Sequence, residues 1–180
     1  MTDSNTAPEF AEYHAMIEEI VGQSDRAAAI VAFAYLDDSL TEVVQSHLYN
    51  YKHKGENIRK TLFKGAGPLA TFSARRRLAY LLGLFGPKTF ADLERIAQIR
   101  NEFAHTRSVR TFKTQRIRNL CEALTTPIVE FDPSDESVKL DPRLSKARMR
   151  YVNTIFTLSG TLRGVSHHSL PPPHKHRLLP

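Results

Sequence analysis

The sequence lacks most of the features that mark secreted, metal-binding and membrane proteins. Its single cysteine, Cys121, allows no internal disulfide and no cysteine-based zinc cluster. No run of about 18 uncharged apolar residues is present, and the acidic, polar opening over residues 1–12 lacks the basic and apolar parts of a signal peptide. We therefore expect a cytoplasmic protein that does not enter a membrane and is held together by packing.

The motifs of common small-molecule enzymes are also missing. We find no P-loop, no dinucleotide fingerprint and no Ser-His-Asp pattern. Four histidines near the end have no cysteine or carboxylate cluster beside them, so they are expected to be solvated and not to bind nickel or zinc. These are His167, His168, His174 and His176. We expect no cofactor and no metal site.

The hydrophobic residues of the sequence are sufficient to form the core of one domain. The chain has 180 residues, of which 41% are hydrophobic, and this fits a single domain. Lys and Arg outnumber Asp and Glu by 25 to 19, which gives a net charge of +6. This surplus favours weak phosphate contacts with nucleic acid, although many proteins that bind no nucleic acid have the same charge.

Apolar residues recur at helical spacing, and no convincing strand pattern or internal repeat occurs. The fold class predicted is all-α: one single-domain helical bundle of about six helices. Residues 1–23 form an N-terminal segment, 24–164 the helical domain, and 165–180 a disordered tail rich in histidine and proline. The predicted helices cover about residues 8–22, 26–48, 68–85, 89–105, 112–124 and 143–162.

Local signals refine these boundaries. Pro68 is expected in the first turn of the central helix, and Thr89 is expected to cap the following helix, with Asp92 in its first turn. Residues 50–67 are charged and contain glycine, so they predict a loop with at most one helical turn. The helix at 26–48 and the central helix are apolar nearly all round, which predicts a homodimer.

Charged residues fall inside two apolar helix faces. Arg100 lies in the apolar stripe of the helix at 89–105, and Asp37 lies in an apolar sector of the helix at 26–48. A buried cation without a partner costs several kcal/mol, so we expect an ion pair that sets helix register or orients a site. The candidates for this ion-pair cluster are Asp37 or Asp38 with Arg75, Arg76 or Arg100.

A second pattern places Arg100, Asn101 and His105 near one helix end. Asn101 and His105 share a helical face, whereas Arg100 is about 140° away from His105 on an ideal helix. The run resembles the arginine-four-histidine motif of HEPN domains, which are often metal-independent ribonucleases. The resemblance implies that His105 would act on a ribose 2′-hydroxyl and that Arg100 would stabilise phosphate charge.

A longer resemblance covers residues 24–124. It rests on Gly67-Pro68-Leu69, Phe72-Ser73-Ala74-Arg75, Leu78-Ala79-Tyr80, Leu82-Gly83-Leu84, Asp92-Leu93, Ile99-Arg100-Asn101 and Phe103-Ala104-His105, preceded by Ser24, Arg26 to Ile30, Leu36-Asp37 and Leu40. In order and gaps, these pieces resemble the mannitol operon repressor (MtlR) family. The sequence departs from that pattern at Arg76 and Arg77 and in the tail from Ser166.

The resemblance implies an all-helical regulator, named for repression of a sugar-alcohol operon and without a recognisable DNA-reading module. We therefore expect a transcription-linked regulator that acts mainly through a protein partner. The alternative hypothesis is a HEPN-type metal-independent ribonuclease or RNA-binding protein that uses Arg100, Asn101 and His105.

Overall fold

The structure is a computed structural model that describes residues 19–20, 22–48, 54–105, 110–127 and 145–166. Within these ranges the chain forms six helices and no strand, which confirms the predicted all-α class. The helices are α1 (Asp25–Ser46), α2 (Lys54–Phe63), α3 (Phe72–Leu81), α4 (Pro87–Ala104), α5 (Gln115–Glu122) and α6 (Lys146–Ser166). The helix predicted at 8–22 lies almost wholly outside the described residues, as does the tail.

Helix α1 is the spine of the bundle, and α3, α4 and α6 all pack against it. It begins where the Ser24 hydroxyl accepts a hydrogen bond from the Ala27 amide at 3.3 Å, which satisfies one of the free donors of the first turn. Its buried residues recur at the three- and four-residue spacing of one helix face. They include Ala28, Ala29, Ala32, Leu36, Leu40, Val43 and Val44.

Helix α6 is the second major element of the core and lies along α1. Tyr151 is fully buried, and its hydroxyl donates to the Ala29 carbonyl of α1 at 3.0 Å. An aromatic series extends from it, with ring centroids 5.5 Å apart for Phe112 and Tyr151 and 4.9 Å apart for Phe103 and Phe112. These contacts fix the core where α1, α4 and α6 meet.

The prediction of a loop over residues 50–67 is wrong, because α2 occupies most of this stretch. Its acidic first turn and basic last turn, at Glu56 and Lys60, suit the helix dipole. Arg59 donates to the Leu48 carbonyl at 2.6 Å, and Phe63 is buried. These two tertiary anchors hold a helix whose exposed surface is mainly polar, apart from Ile58.

Two helix starts also differ from the prediction. Helix α3 begins after Thr71, whose hydroxyl accepts from the Ala74 amide at 3.2 Å, so Pro68 lies before the helix and not in its first turn. Helix α4 begins at Pro87 with Gly86 as its N-cap, and Thr89 is therefore not the cap. Because the helix starts earlier, Asp92 falls in its second turn.

Helix α3 ends earlier than expected, at Leu81. Gly83 has a φ of 72°, a left-handed conformation that glycine adopts without steric cost, and this turns the chain away from the helix axis. The other helices do not cover the whole of the central helix α3. Tyr80, Leu81 and Leu82 are exposed, whereas Arg75 and Arg76 of the same helix are buried.

Candidate functional site

The ion pair expected between apolar helix faces forms between Asp37 of α1 and Arg75 of α3. The Arg75 side chain is 6% exposed and the Asp37 side chain is 32% exposed, so the guanidinium is the more deeply buried partner. Arg75 also donates to the Leu69 carbonyl at 2.8 Å. Asp38, the other carboxylate considered, is exposed. The pair fixes how α3 lies on α1.

Arg76, the next residue of α3, joins that helix to α4. Its guanidinium lies 4.3 Å from the centroid of the Phe90 ring, a cation–π contact, and 3.4 Å from the Glu94 carboxylate. Tyr80 stacks on the same Phe90 ring, with centroids 4.7 Å apart. Two successive arginines of one helix therefore bind two different neighbours.

Arg100 is half-buried and has a different environment from the one expected. Its guanidinium lies 4.6 Å from the centroid of the Phe33 ring of α1 and donates to the Asn101 side-chain oxygen at 3.1 Å. It also lies close enough to Tyr151 for its charge to oppose the strong rise that burial causes in the tyrosine pKa. An aromatic face, and not Asp37, accommodates this cation.

The structure places Arg100, Asn101 and His105 at the end of α4, with Asn101 and His105 exposed. His105 is the C-cap residue, and its backbone amide donates to the Asn101 carbonyl at 3.0 Å. Arg100 and Asn101 are joined by their side chains. No contact between the His105 ring and Arg100 is seen in the described part of the chain.

A further ion pair, which the sequence did not predict, joins α1 to α6. Arg148 donates to the Asp25 carboxylate at 3.0 Å and to the carbonyls of Ile20 and Gln23 at 2.6 and 3.1 Å. The other Asp25 oxygen accepts from the Phe112 amide at 2.9 Å. The sequence feature that could have indicated this ion pair is the acidic Asp25 directly after the Ser24 cap. An acidic residue at that position is also typical of an ordinary helix start.

Asp92 of α4 is a buried carboxylate that was expected only as a charge near the start of the helix. It is fully buried and accepts hydrogen bonds from the amides and hydroxyls of both Thr125 and Thr126, at 2.7 to 3.1 Å. Burial acts to raise the Asp92 pKa, but these hydrogen bonds outweigh it and hold the pKa below its ordinary value. Asp92 thereby holds the chain that follows α5 against α4.

Cys121 is buried, and its surroundings suppress thiol chemistry. Burial, helped by the neighbouring Glu122 carboxylate, raises the pKa of the thiol to about 12. Within the described ranges, no three histidine, cysteine or carboxylate side chains lie together where they would hold a metal ion. In those same ranges no helix is long and apolar enough to cross a membrane.

These observations define the class: a six-helix bundle whose buried charges, in the part described, join one helix to another. The model of one family, described as "Mannitol repressor", matches residues 16–157. The chain therefore belongs to the mannitol repressor family.

Individual relatives agree with this assignment. The mannitol operon repressors of Escherichia coli K12 and Escherichia coli O6:H1 are each 25% identical to the chain over 122 residues. The alignment covers 65% of this chain and 63% of each relative, so less than two thirds of the relatives' length is matched.

A solved structure shares the fold. The X-ray structure of the MtlR–HPr complex from Escherichia coli matches with a TM-score of 0.57 and 22% identity, covering 87% of this chain and 99% of that chain. The comparisons give no support to the HEPN ribonuclease hypothesis.

Proposed function

We propose that this chain is a repressor-type, transcription-linked regulator of the cytosol that acts mainly through protein contacts. The observation that carries the proposal is the mannitol repressor family match over residues 16–157. The buried cations Arg75, Arg76 and Arg148 join one helix to another and so hold the fold together.

The protein partner proposed is an HPr protein, since the solved relative is a complex with HPr. The test is isothermal titration calorimetry with the HPr protein encoded in the same genome. We expect saturable binding in the micromolar range, typical of a transient regulatory contact. No heat of binding up to about 100 µM of each protein would contradict this partner, while leaving the family assignment intact.

We further propose that the chain forms a homodimer through Tyr80, Leu81 and Leu82, which we call the apolar corner. These residues are 39%, 81% and 43% exposed and follow one another at the end of α3. A twofold axis beside the corner would let each copy cover the same patch on the other. The other exposed large apolar residues of the described chain, Ile30 and Ile58, lie on different helices.

Contact with DNA is proposed to be weak and directed at phosphates. Exposed cations of α5 and the start of α6, among them Arg116, Arg118 and Lys146, are the groups for this contact. Fluorescence anisotropy with two unrelated DNA duplexes should show equal affinities. Both affinities should fall steeply as the salt concentration rises from about 50 to 200 mM, because salt competes with the contacts between cations and phosphates. Tight, salt-tolerant binding to one promoter would contradict it.

The ribonuclease hypothesis makes an opposite prediction. A regulator leaves RNA intact, whereas a metal-independent ribonuclease cleaves it in the presence of a chelator. Cleavage that survives chelator and is lost in His105→Ala would therefore overturn the proposed function. Because His105 is exposed at a helix end, that variant is expected to fold normally.

A further inference from the structure

A cavity of about 760 Å³ lies between α5 and α6. Its inner wall is apolar and includes Phe112, Cys121 and Ala147, all of which are buried. The volume is in the range of sites that hold a small organic molecule. The cavity is open to solvent on one side, where its lining residues are exposed, so a ligand can enter it from the surface.

Asn153 of α6 lines this cavity and has an unused hydrogen-bond acceptor. The residue is only 6% exposed, and its side-chain oxygen has no hydrogen-bond partner. A buried amide oxygen without a donor costs free energy, and such groups are few in native proteins. This oxygen is shielded from solvent in the free protein, so the Asn153 side chain would have to turn toward the cavity for a ligand hydroxyl or N–H group to supply the missing donor.

The cavity wall also carries an excess of positive charge. Lys113, Arg118, Lys146 and Arg150 line it, against the single carboxylate of Glu122. Arg118 lies 3.7 Å from that carboxylate, and Arg150 donates to the Leu124 carbonyl at 2.5 Å. The ammonium groups of Lys113 and Lys146 have no carboxylate partner among the described residues. They are the groups best placed to bind an anion.

We propose that this cavity is a binding site for a small amphipathic organic anion with an apolar body, an acidic group at one end and a hydrogen-bond donor at the other. The acidic group binds at Lys113 and Lys146, the apolar body lies against Phe112 and Ala147, and the donor reaches Asn153. The site is separate from the apolar corner at the end of α3, and it shares Arg118 and Lys146 with the proposed DNA contact. Resting on the proposed function, it would make the regulator responsive to a small molecule.

The test uses two fluorescent probes that differ only in one sulfonate group. The anionic probe is 6-(p-toluidino)naphthalene-2-sulfonate, whose sulfonate and N–H donor lie at opposite ends of the naphthalene ring. The neutral probe is N-(p-tolyl)-2-naphthylamine, which keeps the N–H donor and lacks the sulfonate. In fluorescence titrations of the full chain, we expect one saturable site that binds the anionic probe about fivefold more tightly than the neutral one, as two part-exposed charge contacts allow.

The variant Lys113→Gln with Lys146→Gln tests the anion contact, and Lys60→Gln with Lys64→Gln is its matched control. Both double variants remove two exposed lysines, and neither Lys60 nor Lys64 lines the cavity. We expect the cavity variant to bind the anionic probe about fivefold more weakly than the unaltered chain does, and the neutral probe less than about twofold more weakly. The control should leave both affinities within about twofold of the unaltered chain.

Asn153→Leu tests the inner contact with a readout that a purely structural residue would not give. Removing an unpaired buried acceptor should raise the melting temperature of the free protein. Loss of the acceptor should also lower the affinity for both probes by about three- to tenfold, because both probes carry the N–H donor. A rise in stability together with a loss of binding supports the proposal.

Three results would overturn it. The first is that the unaltered chain binds both probes with equal affinity and that the lysine variants bind them no differently. That result would indicate a non-specific apolar surface. The second is no probe binding at all, which is expected if another part of the chain fills the cavity. The third is Asn153→Leu with unchanged probe affinities. Since the lysine variants alter only exposed side chains, the test stands even if Asn153→Leu fails to fold.

Discussion

Arg75 and Arg100 show what could and could not be predicted at the scale of single residues. The position of Asp37 in an apolar helix sector indicates a buried partner, and the structure provides one in Arg75. Choosing between Arg75 and Arg100 needs the distance between helices, which sequence spacing does not contain. Arg100 instead contacts Phe33, because an aromatic face also attracts a guanidinium through its electron-rich ring.

Asp37→Ala should lower the free energy of unfolding by about 2 to 3 kcal/mol, measured by urea denaturation. The substitution leaves the buried Arg75 guanidinium without its carboxylate. The cost falls below that of a fully buried pair because Asp37 is part-exposed and Arg75 keeps its hydrogen bond to Leu69. The control is Asp38→Ala, at an exposed position, which should change stability by less than about 0.5 kcal/mol. Equal effects of the two variants would contradict a structural role for the pair.

Asp92→Asn should also destabilise the protein, and by an amount that depends on pH. At pH 7 we expect a loss of about 2 to 4 kcal/mol, because an amide cannot accept all the hydrogen bonds from Thr125 and Thr126. The folded pKa of Asp92 is lowered, so its stabilisation is present above the unfolded pKa of about 3.9 and is lost as pH falls through the folded pKa.

The measurement is a series of urea unfolding curves for both proteins between about pH 7 and pH 2. The difference in free energy of unfolding should stay constant down to about pH 4 and shrink below it. A difference that is the same at all pH values would show that ionisation of Asp92 has no part in stability.

At the scale of helices, the periodic spacing of apolar residues predicted where helices occur better than it predicted where they begin and end. Helices α1, α4 and α6 follow apolar spacing and were expected. Helix α2 was missed because its buried residues are few and its anchors, such as the Arg59 contact to Leu48, are tertiary. The first turn of α4 was misplaced because Thr89 and Pro87 are both typical of helix starts. Local sequence alone does not rank such signals.

Gly67→Ala and Gly160→Ala should have opposite effects on stability. A Cβ at Gly67 would collide with the backbone carbonyls of Thr61 and Leu62 at the end of α2, so we expect a loss of about 1 to 3 kcal/mol. A Cβ at Gly160, within α6, meets nothing within 4 Å. There alanine should add about 0.5 to 1 kcal/mol through helix propensity. Thermal unfolding of both variants is the measurement, and a neutral Gly67→Ala would show that the turn after α2 can shift.

At the scale of the whole molecule, the bundle was predictable but its surface was not. Composition and periodicity established one all-helical core, while the exposure of Leu81 and the burial of Arg75 depend on which neighbours α3 finds. The same limit applies to the cavity between α5 and α6, because it is formed by residues distant in sequence.

Leu81→Asp should convert the proposed dimer into a monomer, because each copy would place a carboxylate in the apolar corner of the other. Light scattering at tens of micromolar is the measurement, at concentrations where weak interfaces still form. Ile58→Asp, which changes another exposed apolar residue on α2, is the control and should remain a dimer. A monomeric unaltered chain would rule out the apolar corner as a self-association surface.

The burial of Cys121 gives the molecule a built-in reporter of its own opening. Burial raises the pKa of this thiol to about 12, so little thiolate is present near neutral pH, and alkylating reagents and oxidants attack it slowly in the closed fold. As Cys121 is the single cysteine of the sequence, any adduct has one source. Its rate of modification therefore reports how often this one thiol becomes accessible between α5 and α6, and a ligand that fills the cavity lined by Cys121 should slow that rate.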